Sequence, residues 1–182
     1  DQWAQMSLAG PKARIILARI VEDDISDAAI PFLGAKVVTL KGGLKARLFR
    51  ISFSGELAYE LAVPAGYGES VANAVMQVGE PHGICAYGVE ALNVLRMEKG
   101  FVTHAEIDGT VTPADLGVGK MVSATKADFI GKQMLNREGL RDPLRPRLAG
   151  LLPLDPAQTF RAGSHILSKN AEATLENDQG YV

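Results

Sequence analysis

The stretch "AKVVTLKGGLKARLFRISFSGELAYELAVP", Ala35 to Pro64, restricts the fold more than any other part of the chain. Gly42-Gly43 is a hairpin-type dipeptide set between two runs with strand character. The runs therefore pair as neighbouring strands. In the second run the apolar phase goes Leu44, Ala46, Leu48 and then Phe49, Ile51, Phe53, a switch of face that predicts a bulge near Leu48. Ser54-Gly55-Glu56 interrupts the pattern, and "LAYELAVP" reads as a third strand.

The flanks alternate strand and helix signals. "WAQMSLAGPKARIILARI" reads as a strand, a turn and a helix, with Pro11 in the first helical turn, where its missing N–H costs nothing. Ile15, Ile16, Arg19 and Ile20 fall at helical spacing. "VEDDISDAAIPFL" is an acidic connection with room for one short helix ending before Pro31. Tyr67-Gly68 leads into a helix over "ESVANAVMQVGE", closed by Pro81. "CAYGVEALNVLRMEKG" is the next helix, with Val89, Leu92, Leu95 and Met97 as its buried stripe and Gly100 as its C-cap. A loop-rich stretch runs to about Ser123, then "DFIGKQMLNREG" predicts a short helix capped by Asp128 and stopped at Gly139. From Arg145 the pattern changes to three short strands, "RPRLAGLLPL", "AGSHILS" and "EATLENDQGYV", with "LSKNAEA" as the clearest hairpin. The Pro- and Arg-dense "LRDPLRPR" marks a boundary between a region 1–143 and a region 144–182. The expected class is α+β, followed by the start of an all-β module.

Several function classes are disfavoured by composition. The 182 residues carry a formal charge of −2, with Lys and Arg scattered, which argues against a nucleic-acid surface. No apolar run is long enough to span a bilayer as a helix. Cys85 is the single cysteine, so no internal disulfide can form, and no Cys/His cluster points to zinc. Its apolar neighbours predict a core position for Cys85. A reducing compartment, the cytoplasm, is the expected location. The chain begins at Asp1, and "LENDQGYV" at the other end resembles an interrupted strand, so a fragment of a longer polypeptide is expected.

Among candidate site residues, Glu56 follows Gly55 just before a strand, where a carboxylate can point into a cleft. A carboxylate accepts two parallel hydrogen bonds and suits a flat heterocycle with adjacent N–H donors, each such bond contributing roughly 1.5–3 kcal/mol. The plainer reading is a solvated turn residue. Arg96 and Glu98 interrupt an apolar helix, and Arg96 is expected to reach a neighbouring carboxylate as a structural pair. His82, His104 and His165 are too far apart in sequence to indicate a metal site, with His104 the one best placed to face a ligand. "DGTVTPADLG" combines an Asp-Gly turn, a Thr-Pro helical start at Thr112, and Gly117 and Gly119, so it can wall a cleft or serve as a long connection. Neither GxGxxG nor GxxxxGK[ST] occurs.

In this order and spacing, "SLAGPKA", "ISFSGELAYEL" and "YGVEALNVLRMEKG" resemble the folate-binding aminomethyltransferase (glycine cleavage T-protein) superfamily. That superfamily shows a GPKA-like turn, a GxxGExxxE segment and an LRLExG helix. "EALNVLRMEKG" with "DGTVTPADLG" looks most like the C-terminal half of the alpha-subunit family of heterotetrameric sarcosine oxidases, and the likeness covers nearly all of the chain. It implies subdomains arranged as a cloverleaf around a tetrahydrofolate cleft, with "RPRLAGLLPL" opening a C-terminal β-barrel. The implied activity is oxidative demethylation of sarcosine. Sarcosine is oxidised at a flavin in another subunit, and the methyl carbon leaves as an iminium or formaldehyde equivalent. Tetrahydrofolate then captures it as the 5,10-methylene form. FMN, FAD and NAD are implied for the complete enzyme, and the beta, gamma and delta subunits as partners. A stand-alone aminomethyltransferase, a dimethylglycine or sarcosine dehydrogenase domain, and a subunit-docking module are the alternatives.

The resemblance places Glu56 at the family carboxylate that grips the pterin. Tyr59 lies in the same matched segment and is assigned with it to the ligand, while Glu60 supports the strand. Two departures follow. Leu92 stands where the T-protein helix has an Arg, so that folate contact does not carry over. The family's catalytic Asp lies upstream of "SLAGPKA" and would precede Asp1, so no catalytic residue is assigned within the chain.

Overall fold

A computed structural model describes residues 2–182 and divides the chain into two units, Asp1–Phe101 and Val102–Val182. The first unit is built on an antiparallel sheet of four strands. These are β1 (Trp3–Ala9), β2 (Ala35–Thr39), β3 (Lys45–Phe49) and β4 (Ala58–Pro64), in the order β1-β4-β3-β2. The Gly-Gly hairpin is present: Gly42 and Gly43 take φ of 97° and 84°, a left-handed pair that glycine adopts without a Cβ penalty. Leu40 N–H donates to Leu44 O at 2.8 Å to close it.

One sheet face is buried. Leu8, Val38, Ala46, Leu48, Tyr59, Leu61 and Val63 point to it at alternate positions, as a half-covered antiparallel sheet requires. Helices α1 (Ala13–Leu17) and α2 (Gly68–Gly79) cover that face, α1 packing on β4 and α2 on β1. The buried stripe of the first helical segment is Ala13, Ile16, Leu17 and Ile20; Ile15 is exposed. Pro11 sits one residue before the Lys12 N-cap, in the turn and not inside the helix. On the opposite face, Arg47 stacks over the Trp3 ring, 4.0 Å from its centroid.

Several sequence expectations are corrected. No bulge occurs near Leu48: β2 and β3 pair without a break from Thr39–Lys45 to Ala35–Phe49. The phase switch marks the end of the strand, and Ile51 and Phe53 lie in the irregular segment beyond it. The acidic connection forms turns, one closed by Ile30 N–H on Ser26 O and a second beginning at Pro31, and no helix. Helix α3 (Val89–Lys99) closes in a Schellman motif, with Gly100 at φ 78°, Gly100 N–H on Met97 O and Phe101 N–H on Arg96 O. Its predicted stripe is wrong: Val89 and Met97 are exposed, Leu92 and Leu95 half-buried, and Arg96 is the buried residue. The guanidinium turns inward because it satisfies Phe101 O at 3.1 Å beyond the helix end, and its aliphatic stem is buried with it. Cys85 is exposed, in the irregular run before α3, and not core.

The second unit has little regular structure. A two-stranded antiparallel ribbon pairs β5 (His165–Leu167) with β6 (Asp178–Tyr181), with a register shift between Ile166 and Leu167. "RPRLAGLLPL" forms no strand, since no ladder partner meets it. "LSKNAEA" lies in the β5–β6 connection, with Asn170 at φ 66°. "DFIGKQMLNREG" makes turns and short 3-10 segments and no α-helix, and Asp128 accepts from its immediate neighbour Phe129 N–H instead of from a helix turn.

Candidate functional site

The turn between β3 and β4 carries Glu56. Gly55 stands in the left-handed region at φ 84°, and its N–H donates to Ser52 Oγ at 2.9 Å. The turn thereby brings Glu56 out of the sheet plane, exposed, on the wall of a hollow of about 240 Å3. Arg50, Ile51, Leu57 and Phe32 line the same hollow. It is smaller than the roughly 300–1,000 Å3 of a complete small-molecule site. It suits the flat head of a ligand whose remainder lies outside.

Tyr59 is placed differently. It is fully buried in the core, and its hydroxyl accepts from Arg14 Nε at 2.7 Å. Arg14 also grips Asp27 through both terminal nitrogens. Asp27 in turn pairs with Arg50 Nη1 at 2.5 Å, and Arg50 Nη1 donates to Ile30 O at 3.1 Å. A chain of polar contacts thus runs from Tyr59 through Arg14 and Asp27 to the wall of the Glu56 hollow. The hydrogen bonds from Arg14 hold the Asp27 carboxyl below the usual carboxylate range, with Arg50 adding to the effect. Glu60 accepts from Gln5 across the β1–β4 pair, as expected of a strand-supporting residue.

The sequence reading missed Phe32, Arg14, Asp27 and Arg50. Arg14 lies on a five-residue helix and Asp27 in an acidic run that reads as solvated, so neither stands out by type or spacing. Phe32 carried one weak signal, its place between Pro31 and Gly34 in a turn.

A second cavity of the first unit, about 710 Å3, shares no lining residue with the Glu56 hollow. Leu8, Ile16, Val75 and Met76 give it apolar walls, and Cys85 and Leu92 also line it. Lys12 Nζ reaches His82 O at 3.0 Å. This cavity is larger and no carboxylate lines it, whereas Glu56 lines the smaller hollow.

In the second unit, Thr112 opens a single helical turn. Asp115 Oδ2 accepts from Thr112 N–H at 2.8 Å, Asp115 N–H donates to Thr112 Oγ1 at 3.3 Å, and Arg145 clamps the same carboxylate at 2.7 Å. Arg145 also donates to Thr110 O at 2.8 Å. The arrangement ties the loop together. His104 is exposed, and His165 pairs with Asp178 across β5–β6 at 2.8 Å. Among the described residues no group of three or more His, Cys, Asp or Glu could hold a metal ion, and no helix is long and apolar enough to cross a membrane.

Comparison with known proteins gives a consistent result. The family described as the GCVT N-terminal domain matches residues 1–126. The chain is 70% identical over 183 residues to the sarcosine oxidase subunit alpha of Rhizobium meliloti (strain 1021), covering 100% of this chain and 18% of that protein. It is 40% identical over 176 residues to the sarcosine oxidase subunit alpha of Corynebacterium sp. (strain P-1), covering 96% of this chain and 18% of the relative. The mitochondrial dimethylglycine dehydrogenase of Mus musculus matches at 35% over 146 residues, 78% of this chain and 17% of the relative. The chain spans less than a fifth of the length of these curated relatives.

Proposed function

The chain belongs to the GCVT N-terminal domain family, and from that premise we propose that it is the tetrahydrofolate-binding part of a sarcosine oxidase alpha-like polypeptide. In the complete enzyme, sarcosine is demethylated oxidatively and the one-carbon unit passes to tetrahydrofolate. Support comes from the 70% identity along the whole chain and from the hollow beside Glu56. The hollow is the observation that carries the reading at the level of residues: apolar walls for a ring, and one carboxylate at the rim for its N–H edge.

Within the site, Glu56 accepts two N–H bonds from the pterin edge and fixes its orientation. Tyr59 belongs to the site from beneath: buried in β4, it holds Arg14, which holds Asp27 and Arg50 at the hollow. Ile51 and Leu57 exclude water from one side of the ring. Tetrahydrofolate supplies the nitrogens that capture the one-carbon unit. FMN, FAD and NAD serve the complete enzyme in its other parts, where the beta, gamma and delta subunits also assemble. Residues 1–143 form the folate-binding region of a cloverleaf arrangement. Residues 144–182 begin a β-barrel, a reading supported by the β5–β6 ribbon. The cytoplasm is the location consistent with a single, unpaired cysteine. The 35% match to a dimethylglycine dehydrogenase keeps a dehydrogenase domain as the second reading, with the same ligand and a different methylated amine.

Calorimetric titration with tetrahydrofolate tests the assignment. Glu56→Gln is expected to weaken binding at least about tenfold, since one or more charge-assisted bonds are lost. Equal affinity in the variant and the unaltered protein removes Glu56 from the site.

A further inference from the structure

The turn Pro31–Gly34 is more tightly built than a surface connection needs. Leu33 sits at φ 65°, in the left-handed region that a branched apolar residue rarely enters. Gly34 has no alternative: a Cβ there would stand 2.7 Å from Pro31 O. Three backbone hydrogen bonds pin the turn: Gly34 N–H to Pro31 O at 2.7 Å, Leu33 N–H to Arg50 O at 3.1 Å and Arg50 N–H to Gly34 O at 2.8 Å. Arg50 is also anchored by its side chain, on Asp27 and Ile30 O. The outcome of this construction is a phenyl ring, Phe32, left 70% exposed on the wall of the hollow that Glu56 lines.

Within this chain the Phe32 ring is not part of the hydrophobic core, and the turn that carries it is pinned by backbone hydrogen bonds on both sides of it. Leu33 beside it is also exposed, so the strained backbone is not repaid by burial of its own side chain. We infer that Phe32 is a ligand-contacting, specificity-determining residue that stacks on the flat heterocycle held by Glu56. The two residues divide the recognition. Glu56 reads the donor edge of the ring, and Phe32 covers a face, which selects planar bicyclic ligands over small acyclic amines. The three backbone hydrogen bonds of the turn fix where the Phe32 backbone stands beside the hollow. The inference rests on the folate-site reading above.

Tetrahydrofolate titration of the protein and its variants tests both levels, with calorimetry for affinity and ligand difference absorbance for ring stacking. Phe32→Ala is expected to weaken binding about tenfold and to remove the stacking change in the absorbance band, while Phe32→Tyr retains both. Because Phe32 is exposed, thermal unfolding is expected to be unchanged in each. Leu33→Gly relieves the backbone strain, so it raises Tm yet lowers affinity, opposite signs that a merely structural turn would not give. If Phe32→Ala and Leu33→Gly bind as the unaltered protein does while Glu56→Gln loses binding, the role of Phe32 is overturned and the site stands. If Glu56→Gln binds normally, or the unaltered protein takes up no tetrahydrofolate, the site itself falls and Phe32 with it.

Discussion

At Gly55 the chain enters the left-handed region one residue before the carboxylate on which the proposed site depends, and a Cβ at this position would run into the Lys99 side-chain methylenes. Lys99 is long and flexible, so the steric conflict is relieved by moving it. The backbone conflict is not, because an L-residue at such a φ loses roughly 1–2 kcal/mol. Gly55→Ala is therefore expected to lower stability by about 1 kcal/mol in urea unfolding, or to let the turn relax and swing Glu56 away. In either case tetrahydrofolate binding weakens. A variant with unaltered stability and unaltered affinity would show that the turn places nothing. Tyr59 illustrates a different dependence. Its match to a ligand-binding segment was legible in the sequence, but its complete burial was not, because strand alternation alone does not say which face a sheet covers.

Strands β1 to β4 and helix α2 were readable in advance, since Gly-Gly, the alternating apolar residues of the strands and the Tyr67-Gly68 entry and Pro81 stop of the helix each express a local rule. Helix α3 was readable as a helix but not in its orientation. Val89, Leu92 and Arg96 share one face at i, i+3 and i+7, so periodicity marks that face without saying which of its residues is buried; Arg96 is the buried one and donates to Phe101 O beyond the helix end. The helix has eleven residues and buries only Arg96 fully. Helices shorter than about 12–15 residues are marginal without an amphipathic face to pack. Its amides are therefore expected to exchange with solvent faster than those of α2, which is anchored in the core by Val71 and Val75. Hydrogen exchange followed by NMR decides this; equal protection in the two helices would mean that the Schellman closure and the Arg96 cap suffice. The region from Asp128 to Gly139 failed as a helix for the related reason that its apolar residues find little cover: Ile130 is fully exposed, and Phe129 and Leu135 are only partly buried.

Across the whole chain, apolar burial and polar stapling are divided between the two units. The seventeen residues of the hydrophobic core all belong to Asp1–Phe101. Among the described residues of Val102–Val182, the buried ones are Thr112 and Asp115, both polar. Around Thr112 the second unit is tied by hydrogen bonds converging on one carboxylate, and the stability of that loop should follow the group's protonation. The hydrogen bonds from Arg145, aided by Thr112 N–H, hold the Asp115 carboxyl well below the usual carboxylate range. A carboxyl depressed in the folded state contributes its full stabilisation above the unfolded value, about 4, and loses it progressively as the pH falls further. Protonation removes the negative partner of Arg145 and weakens the bridge from the Thr112 turn to that residue; the bond from Leu148 N–H to the backbone carbonyl of Asp115, at 2.8 Å, does not involve the carboxylate. Between pH 7 and pH 5 the second unit is expected to keep its structure. As the pH falls from about 4 toward the depressed folded value, this stabilisation is lost progressively and the amide signals of residues 110–118 are expected to lose dispersion. Asp115→Asn should lose this protection already at pH 7 and show a shallower acid transition, the remaining slope coming from Asp108 and Asp178, which are also held below their usual range. An NMR pH titration of the two proteins measures both effects. The same acid transition in each would place the stabilisation of this unit in contacts other than the Asp115–Arg145 pair.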